Sequence, residues 1–322
     1  MAEAVPTQAA DGATGDPGAL MRRASHASMA AALLLIAVKL FAYMLTDSVS
    51  LLSSLLDSVL DAAASGLTVL TVRQSLVPAD REHRFGHGKA EPLGGLAQSA
   101  FIAGSAIFLL VESGNRLVTA QPLEHTGVGI AVMAFSIVVS FALVAYQRYV
   151  IRRTGSVAIK ADSVHYLSDL VINGTVVAAL VLINQTGWTV LDPLFAIAIA
   201  LYIMWTSWRI GREMLDMLMD RELPDEDRKR IRAIATAHPG VAAVHDLRTR
   251  TSGRHAFVQI HLEMDGDIPL RRAHAIADEV EALISAEFPG AEVITHQDPV
   301  GVKEARLDTQ IRRAAAAGGG QR

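Results

Sequence analysis

Four side chains able to hold a metal ion fall in two pairs on two apolar segments. In "SLLSSLLDSVLDAAASGLTVL", residues 50–70, Asp57 and Asp61 are four apart, and in "ADSVHYLSDLVINGTVV", residues 161–177, His165 and Asp169 are four apart. Residues at that spacing lie one above the other on one face of a helix, so each segment aims two ligands to the same side. A carboxylate at the centre of a membrane helix costs about 2.5 to 3.5 kcal/mol even on forgiving insertion scales, a cost that calls for a function. Three carboxylates and one imidazole are enough to close a tetrahedral site for a divalent ion such as Zn²⁺ without water, and helical bundles build metal sites in this way. A lone intramembrane Asp also serves as a helix–helix hydrogen-bond partner, and a lone His as a satisfied core residue. The doubled pattern favours the metal.

A set supplied wholly by the protein suits carriage better than hydrolysis, because a catalytic zinc keeps a position open for water. The ligands must lose protons to bind metal, so the site is either protonated or metallated, which is sufficient to couple metal movement to opposite proton movement. Three other readings stay open. A membrane-anchored metal sensor would use the tail histidines but has no need of ionisable groups inside its helices. An intramembrane metallohydrolase would have Glu112 as its one spare acid well inside a span. A passive divalent-cation channel shares the same site chemistry.

The elements that must position these residues are membrane helices. Hydrophobic residues make up 51% of the 322 and crowd into the first two thirds. Six stretches approach the roughly 20 residues needed to span: near 27–46, 49–72, 92–115, 127–149, 162–184 and 188–208. Arg73, Arg81, Arg84 and Lys89 follow the second, Arg152, Arg153 and Lys160 the fourth, while Arg22 and Arg23 precede the first and Arg209 and Arg212 follow the sixth. The opposite loops hold only Arg116, so both termini are expected in the cytoplasm. A net charge of −4 argues against nucleic acid as a partner, and the absence of cysteine excludes disulfides and thiolate metal sites.

The domain expectations are a disordered lead over 1–24, a six-helix transmembrane bundle over 25–212, a cytoplasmic metal-binding α+β domain over 213–300 and a low-complexity tail over 301–322. In the third region "PDEDRKRIRAIATAH" reads as a helix opening on Pro224 and Asp225. "VAAVHDLRTR" and "HAFVQIHLEM" read as strands joined by a turn at "TSGR", with Ala256, Val258, Ile260, Leu262 and Met264 on one face of the second. An amphipathic helix and a last strand, "AEVITHQDP", complete an α-β-β-α-β order, a sandwich with helices on one face of a sheet. Two further clusters carry metal chemistry. Asp80, His83 and His87 converge in the loop "PADREHRFGHGKAEP", and His245, His261, His274, His296 and Asp298 are spread through the domain. Polar loops and surfaces contain His and Asp freely, so each is weaker evidence than the helical pairs. Gly95, Ser99 and Ala103 form a small-residue face on the third helix, a candidate dimer contact. Lys39, inside the first helix, either snorkels or faces the bundle interior.

"DSVLD" on the second helix, "HYLSD" on the fifth, the loop between, and "HDLRTR", "QIHLEM" and "HQDP" in the tail resemble the cation diffusion facilitator family, most closely its bacterial zinc and ferrous-iron efflux branch. The resemblance covers roughly 25–300 and implies a homodimeric zinc/proton antiporter of the inner membrane, with six membrane helices followed by a metallochaperone-like cytoplasmic domain. It implies a transport site of Asp57, Asp61, His165 and Asp169 suited to Zn²⁺, with Fe²⁺ or Cd²⁺ as alternatives, and a loop site of Asp80, His83 and His87. It further implies a binuclear site of His245, His261, His274, His296 and Asp298 that helps join the cytoplasmic domains, and a Lys89–Asp220 charge interlock. Expected partners are a second copy of the chain, divalent metal ions, protons as counter-ion and membrane lipids.

Overall fold

The structure, a computed structural model, describes residues 16–47, 49–118, 127–186, 188, 190–302 and 305–318. Most of the expected lead-in, the side chain of Arg116 and the last four residues lie outside them. The helices of the bundle are α1 (Pro17–Thr46), α2 (Val49–Ser75), α3 (Ala90–Val118), α4 (Gly127–Thr154), α5 (Val157–Thr186) and α6 (Leu191–Leu218). Five described helices are long and apolar enough to cross a membrane; α5, which carries Lys160, Asp162, His165 and Asp169 in its first half, is not among them.

Several helices run past the apolar stretches that announce them. The first begins at Pro17, so residues 17–24 are helix and not lead-in. Asp16 caps it, its Oδ1 accepting from the Gly18 N–H at 2.9 Å, and Pro17 sits where its missing N–H costs nothing. At the far end Asp47, with φ 50°, closes the helix by an N–H bond to the Tyr43 carbonyl. At the opposite end α4 continues through Arg152 and Arg153. Helical hydrogen bonding propagates through good helix formers such as Arg whether or not the residue is apolar.

The chain divides into two compact units. The first comprises the chain to Leu76 and Phe101–Met204. In it α1 packs on α2 and α4, and α5 packs on α4 and α2. Met21, Ala24, Val72, Val150, Ala158 and Ile159 form one buried cluster between these four helices, and Ile102, Ala106 and Ile203 another. Lys39 faces inward: its Nζ donates to Ser58 Oγ at 2.6 Å and to the Ser54 carbonyl at 3.1 Å.

The second unit comprises Val77–Ala100 and everything from Trp205 onward. The small-residue face of α3 has a partner within the chain. Ser207 Oγ donates to the Ser99 carbonyl at 2.6 Å, and a Cβ at Gly211 would come within 3.0 Å of Ser99 Oγ. At Ser99, therefore, the close approach expected of a second copy is made by α6 of the same chain.

After α6 come α7 (Asp225–Ala237), β1 (Ala243–Ser252), β2 (His255–Met264), α8 (Leu270–Glu287) and β3 (Glu292–Pro299), the expected order. The sheet runs β1-β2-β3, antiparallel between the first two and parallel between the last two. Val258, Ile260, Leu262 and Met264 of β2 pack with Ile231 and Ala235 of α7 and Ile276, Val280 and Ile284 of α8. The turn at "TSGR" uses Gly253 at φ +61°, a conformation that a side chain disfavours.

The expected low-complexity tail holds a helix, α9 (Leu307–Gly318). Its start is held by Asp246, which sits at φ 47° where the β1–β2 register slips and accepts the N–H groups of Leu307 (2.7 Å) and Asp308 (2.8 Å). Asp308 returns the bond, accepting the Asp246 N–H at 3.1 Å. Burial pushes the Asp246 carboxyl up, but those two N–H groups outweigh it and hold the group below the usual carboxylate range.

Candidate metal centres

Three of the four expected transport ligands meet inside the bundle. One ligand atom each from Asp61, His165 and Asp169 lies within 4.8 Å of the others. His165 Nε2 is 3.0 Å from Asp61 Oδ1 and 3.9 Å from Asp169 Oδ2. Asp57, one helical turn away on α2, is exposed and falls outside this trio. The ring that follows His165 anchors the site: buried Tyr166 pairs its hydroxyl with Ser65 Oγ at 2.8 Å and donates to the Ser28 carbonyl at 3.1 Å.

One turn before His165 lies Asp162, which was not singled out from the sequence. It is fully buried, and it accepts from Ser28 Oγ of α1 (2.5 Å), Thr68 Oγ1 of α2 (3.2 Å) and Gln147 Nε2 of α4 (2.7 Å). A single carboxylate thus ties α5 to three neighbours just below the metal ligands. The one clue available in the sequence is its i,i+3 spacing from His165.

The loop cluster forms as expected. Asp80 Oδ1 accepts the His83 N–H at 2.6 Å and the Glu82 N–H at 2.9 Å, and these bonds, the first above all, hold the carboxyl below its usual range. His83 Nδ1 lies 3.4 Å and His87 Nε2 3.5 Å from the same carboxylate. The buried Nδ1 of His87 has no hydrogen-bond partner among the described residues.

In the cytoplasmic-type domain the strand register lines up the donors, pairing His245 with His261 across β1 and β2, and His261 with His296 across β2 and β3. His245, His261 and Asp298 place ligand atoms within 4.8 Å of one another. Asp298 Oδ2 lies 2.8 Å from His261 Nδ1 and 3.5 Å from His245 Nε2, while exposed His296 approaches Oδ1 at 3.2 Å. Two imidazoles, one buried and one half-buried, and a buried carboxylate are donors that fit zinc. His274 does not join them: it is exposed on α8, 3.6 Å from Asp278. Glu263, not singled out from the sequence, does, with Oε1 3.0 Å from His245 Nδ1 and 2.6 Å from Arg306. Its position two residues after His261 puts it on the same strand face.

The expected Lys89–Asp220 pair is present at 2.9 Å. Arg250 reinforces it, 3.6 Å from Asp220, with its guanidinium against the rings of Phe85 (4.9 Å) and Phe257 (4.2 Å).

Family comparison agrees with this layout. The cation efflux transmembrane domain matches residues 25–219 and the cation efflux protein cytoplasmic domain matches residues 223–300. Cation-efflux pump FieF of Klebsiella pneumoniae is 50% identical over 285 residues, 88% of this chain and 95% of its own. The protein of the same name from Escherichia fergusonii is 49% identical over the same shares. A solved structure of CzrB in its zinc form is 36% identical over 27% of this chain and 99% of its own, with a TM-score of 0.25. Both domain matches in order, and half-identity across nearly the whole length, mean that the chain belongs to the cation efflux, or cation diffusion facilitator, family, as a multi-pass protein of the bacterial inner membrane with its C-terminal domain in the cytoplasm.

Proposed function

We propose that this protein is a homodimeric secondary transporter that expels divalent metal cations, Zn²⁺ foremost, from the cytoplasm in exchange for protons. The observation that carries the reading is the meeting of Asp61, His165 and Asp169, two carboxylates and an imidazole, inside helices of a bilayer-spanning bundle. Zinc takes N and O donors in tetrahedral sets, and Asp57, on the same helix as Asp61, is the fourth ligand when metal is carried. Fe²⁺ and Cd²⁺ accept the same donors, so availability shares in the selection.

The cargo and the proton compete for the same atoms, because carboxylate and imidazole must be deprotonated to ligate. A bundle that exposes this one site to each side in turn, as midplane carriers do, then exchanges metal outward for protons inward. No phosphate-binding Gly-rich loop with its Lys occurs in the sequence, which supports the proton gradient as the driving force.

His245, His261 and Asp298 would hold a resident Zn²⁺ in the domain, and Asp80, His83 and His87 another in the loop. Bound there, the ion supplies a rigid cross-link between strands. Glu263 orients His245 from its other side, and the Lys89–Asp220 pair ties the loop to the end of α6. Metal that prefers the dimer stabilises it in proportion to that preference.

Purified protein in sealed vesicles with an imposed pH gradient tests the proposal. Zn²⁺ uptake that depends on the gradient and disappears in His165→Ala is the expected result. Flux that ignores the gradient would make the protein a channel, and no flux beside tight binding in the domain would make it a sensor.

A further inference from the structure

A cavity of about 390 Å³ opens within the second unit, between the last turns of α6 and the strand-side segment that follows it. Charged residues Arg209, Arg212, Glu213, Asp216, Arg221 and Glu222 contribute to its wall, beside Trp208 and Met217 of α6 and Thr251 of β1. None of the ligands assigned above touches it.

Its charges are unevenly matched. Asp216 is paired with Arg221. Glu222 is engaged by the Thr249 N–H at 2.9 Å and hydroxyl at 2.5 Å and by Arg228 at 3.4 Å. Arg209 and Arg212 have no acid within ion-pair distance among the described residues, and Arg209 instead lies over the Trp205 ring at 4.8 Å. The lining itself holds as many acids as arginines, but with Arg221 engaged by Asp216 and Glu222 engaged by Arg228 from outside the lining, Glu213 set against Arg209 and Arg212 leaves one positive charge unmatched.

The place of the cavity along the chain adds a second constraint. The candidate span Pro193–Leu218 ends here, and Trp205 and Trp208 are both exposed. Indole rings favour the headgroup level of a bilayer, and arginines on the cytoplasmic side of a span meet anionic lipid there. We propose that this cavity binds the phosphodiester of an anionic phospholipid of the inner leaflet, with Arg209 and Arg212 as its anion ligands and Trp208 alongside the glycerol and acyl stem. A phosphodiester carries a single negative charge, which the one surplus positive charge balances. Inorganic phosphate carries nearer two at neutral pH, and a second negative charge would meet Glu213 uncompensated. A headgroup seated here touches both α6 and the Arg221–Pro224 segment, so the lipid braces the turn between the last span and the domain.

The test counts lipid retained by the detergent-purified full-length protein in native mass spectrometry after incubation with phosphatidylglycerol or with phosphatidylcholine. The wild type should retain phosphatidylglycerol selectively. Each of Arg209→Gln and Arg212→Gln should weaken retention about fivefold, on the scale of one basic residue near a membrane surface, Arg212→Lys should keep most of it, and Lys229→Gln, an exposed charge on α7, should change nothing. Equal retention by the wild type and the Arg209→Gln/Arg212→Gln double variant, with circular dichroism showing both folded, would overturn the proposal. So would retention of both lipids alike, and displacement of phosphatidylglycerol by millimolar inorganic phosphate would make a free anion the ligand instead.

Discussion

In the bundle, two helices deliver donors in pairs: α2 carries Asp57 and Asp61 and α5 carries His165 and Asp169, each pair four residues apart. In the domain, three strands each deliver a part: His245 from β1, His261 from β2, and His296 and Asp298 from β3, matched by register. Helix pairs fix ligand spacing within one element, leaving only the packing of two helices to close the site. A strand row depends on two ladders holding at once, one of them slipped beside His245. The first arrangement suits a site whose helices shift as metal is taken and released, since each pair moves as a body. The second suits a site that stays closed, because any slip separates every donor.

The contrast is broken most sharply by removing one ligand from each cluster. Asp61→Asn should abolish gradient-driven metal transport in vesicles, since it deletes a buried ligand that contacts His165 at 3.0 Å. His261→Ala should leave transport measurable while weakening Zn²⁺ binding to the domain by more than about tenfold, as read by calorimetry on the full-length protein. Equal loss of transport in both variants would erase the division between a carrying site and a holding site. Asp57→Asn compared with Asp61→Asn sharpens it further: a matching loss shows that the exposed acid enters the set when metal is bound.

The same difference in construction decides what could be read from the sequence. The helical pairs were legible because the i,i+4 period is a property of one segment, and so were Asp80, His83 and His87, which fall within eight residues of loop. Which domain histidines meet was not legible, because register between separate strands decides it: His274 carries the right chemistry on an exposed helix face, and Glu263 entered unannounced. Helix ends were missed where polar residues extend an apolar run, as at Pro17. The Ala-rich tail reads as low-complexity, yet Ala is the strongest helix former, and the cap that starts α9 comes from Asp246, some sixty residues earlier. Asp162 was invisible for a related reason. Its three partners lie on three other helices.

Asp162 separates support from ligation within the bundle. Asp162→Ala removes the acceptor shared by Ser28, Thr68 and Gln147, each buried hydrogen bond lost costing about 0.5 to 1.5 kcal/mol. The expected loss is at least about 2 kcal/mol, read as a lowered unfolding midpoint in detergent, and it should exceed the change from Asp61→Asn, whose position needs metal more than packing. The opposite ranking would mean that the ligand trio, and not Asp162, holds α5 in place.

In the second unit the loop cluster rests on a close backbone approach. A Cβ at Gly88 would lie 2.3 Å from the Ser252 carbonyl and 2.9 Å from its hydroxyl. Gly88→Ala should therefore cost about 1 to 3 kcal/mol by overpacking and loosen the loop that carries His83 and His87. An unfolding midpoint matching the wild type would show that the loop is not held through this contact.

The smallest effect expected is on a part of the domain outside the candidate metal clusters. His238, nearly buried at the end of α7, lies 2.8 Å from Glu279 of α8, and Arg272 approaches the same carboxylate at 3.5 Å. The His238 contact first, and Arg272 after it, hold Glu279 below the ordinary glutamate range. A carboxyl whose folded value is depressed contributes stability that is present above its unfolded value and is lost as pH falls through the folded one. The domain should accordingly lose stability on acidification below the ordinary glutamate range, and Glu279→Gln should flatten that part of the profile without altering Zn²⁺ affinity. A profile unchanged by the substitution would place the acid sensitivity elsewhere, while a change in Zn²⁺ affinity would mean that the helix layer and the strand row are not independent, which is the separation on which the comparison of the two clusters rests.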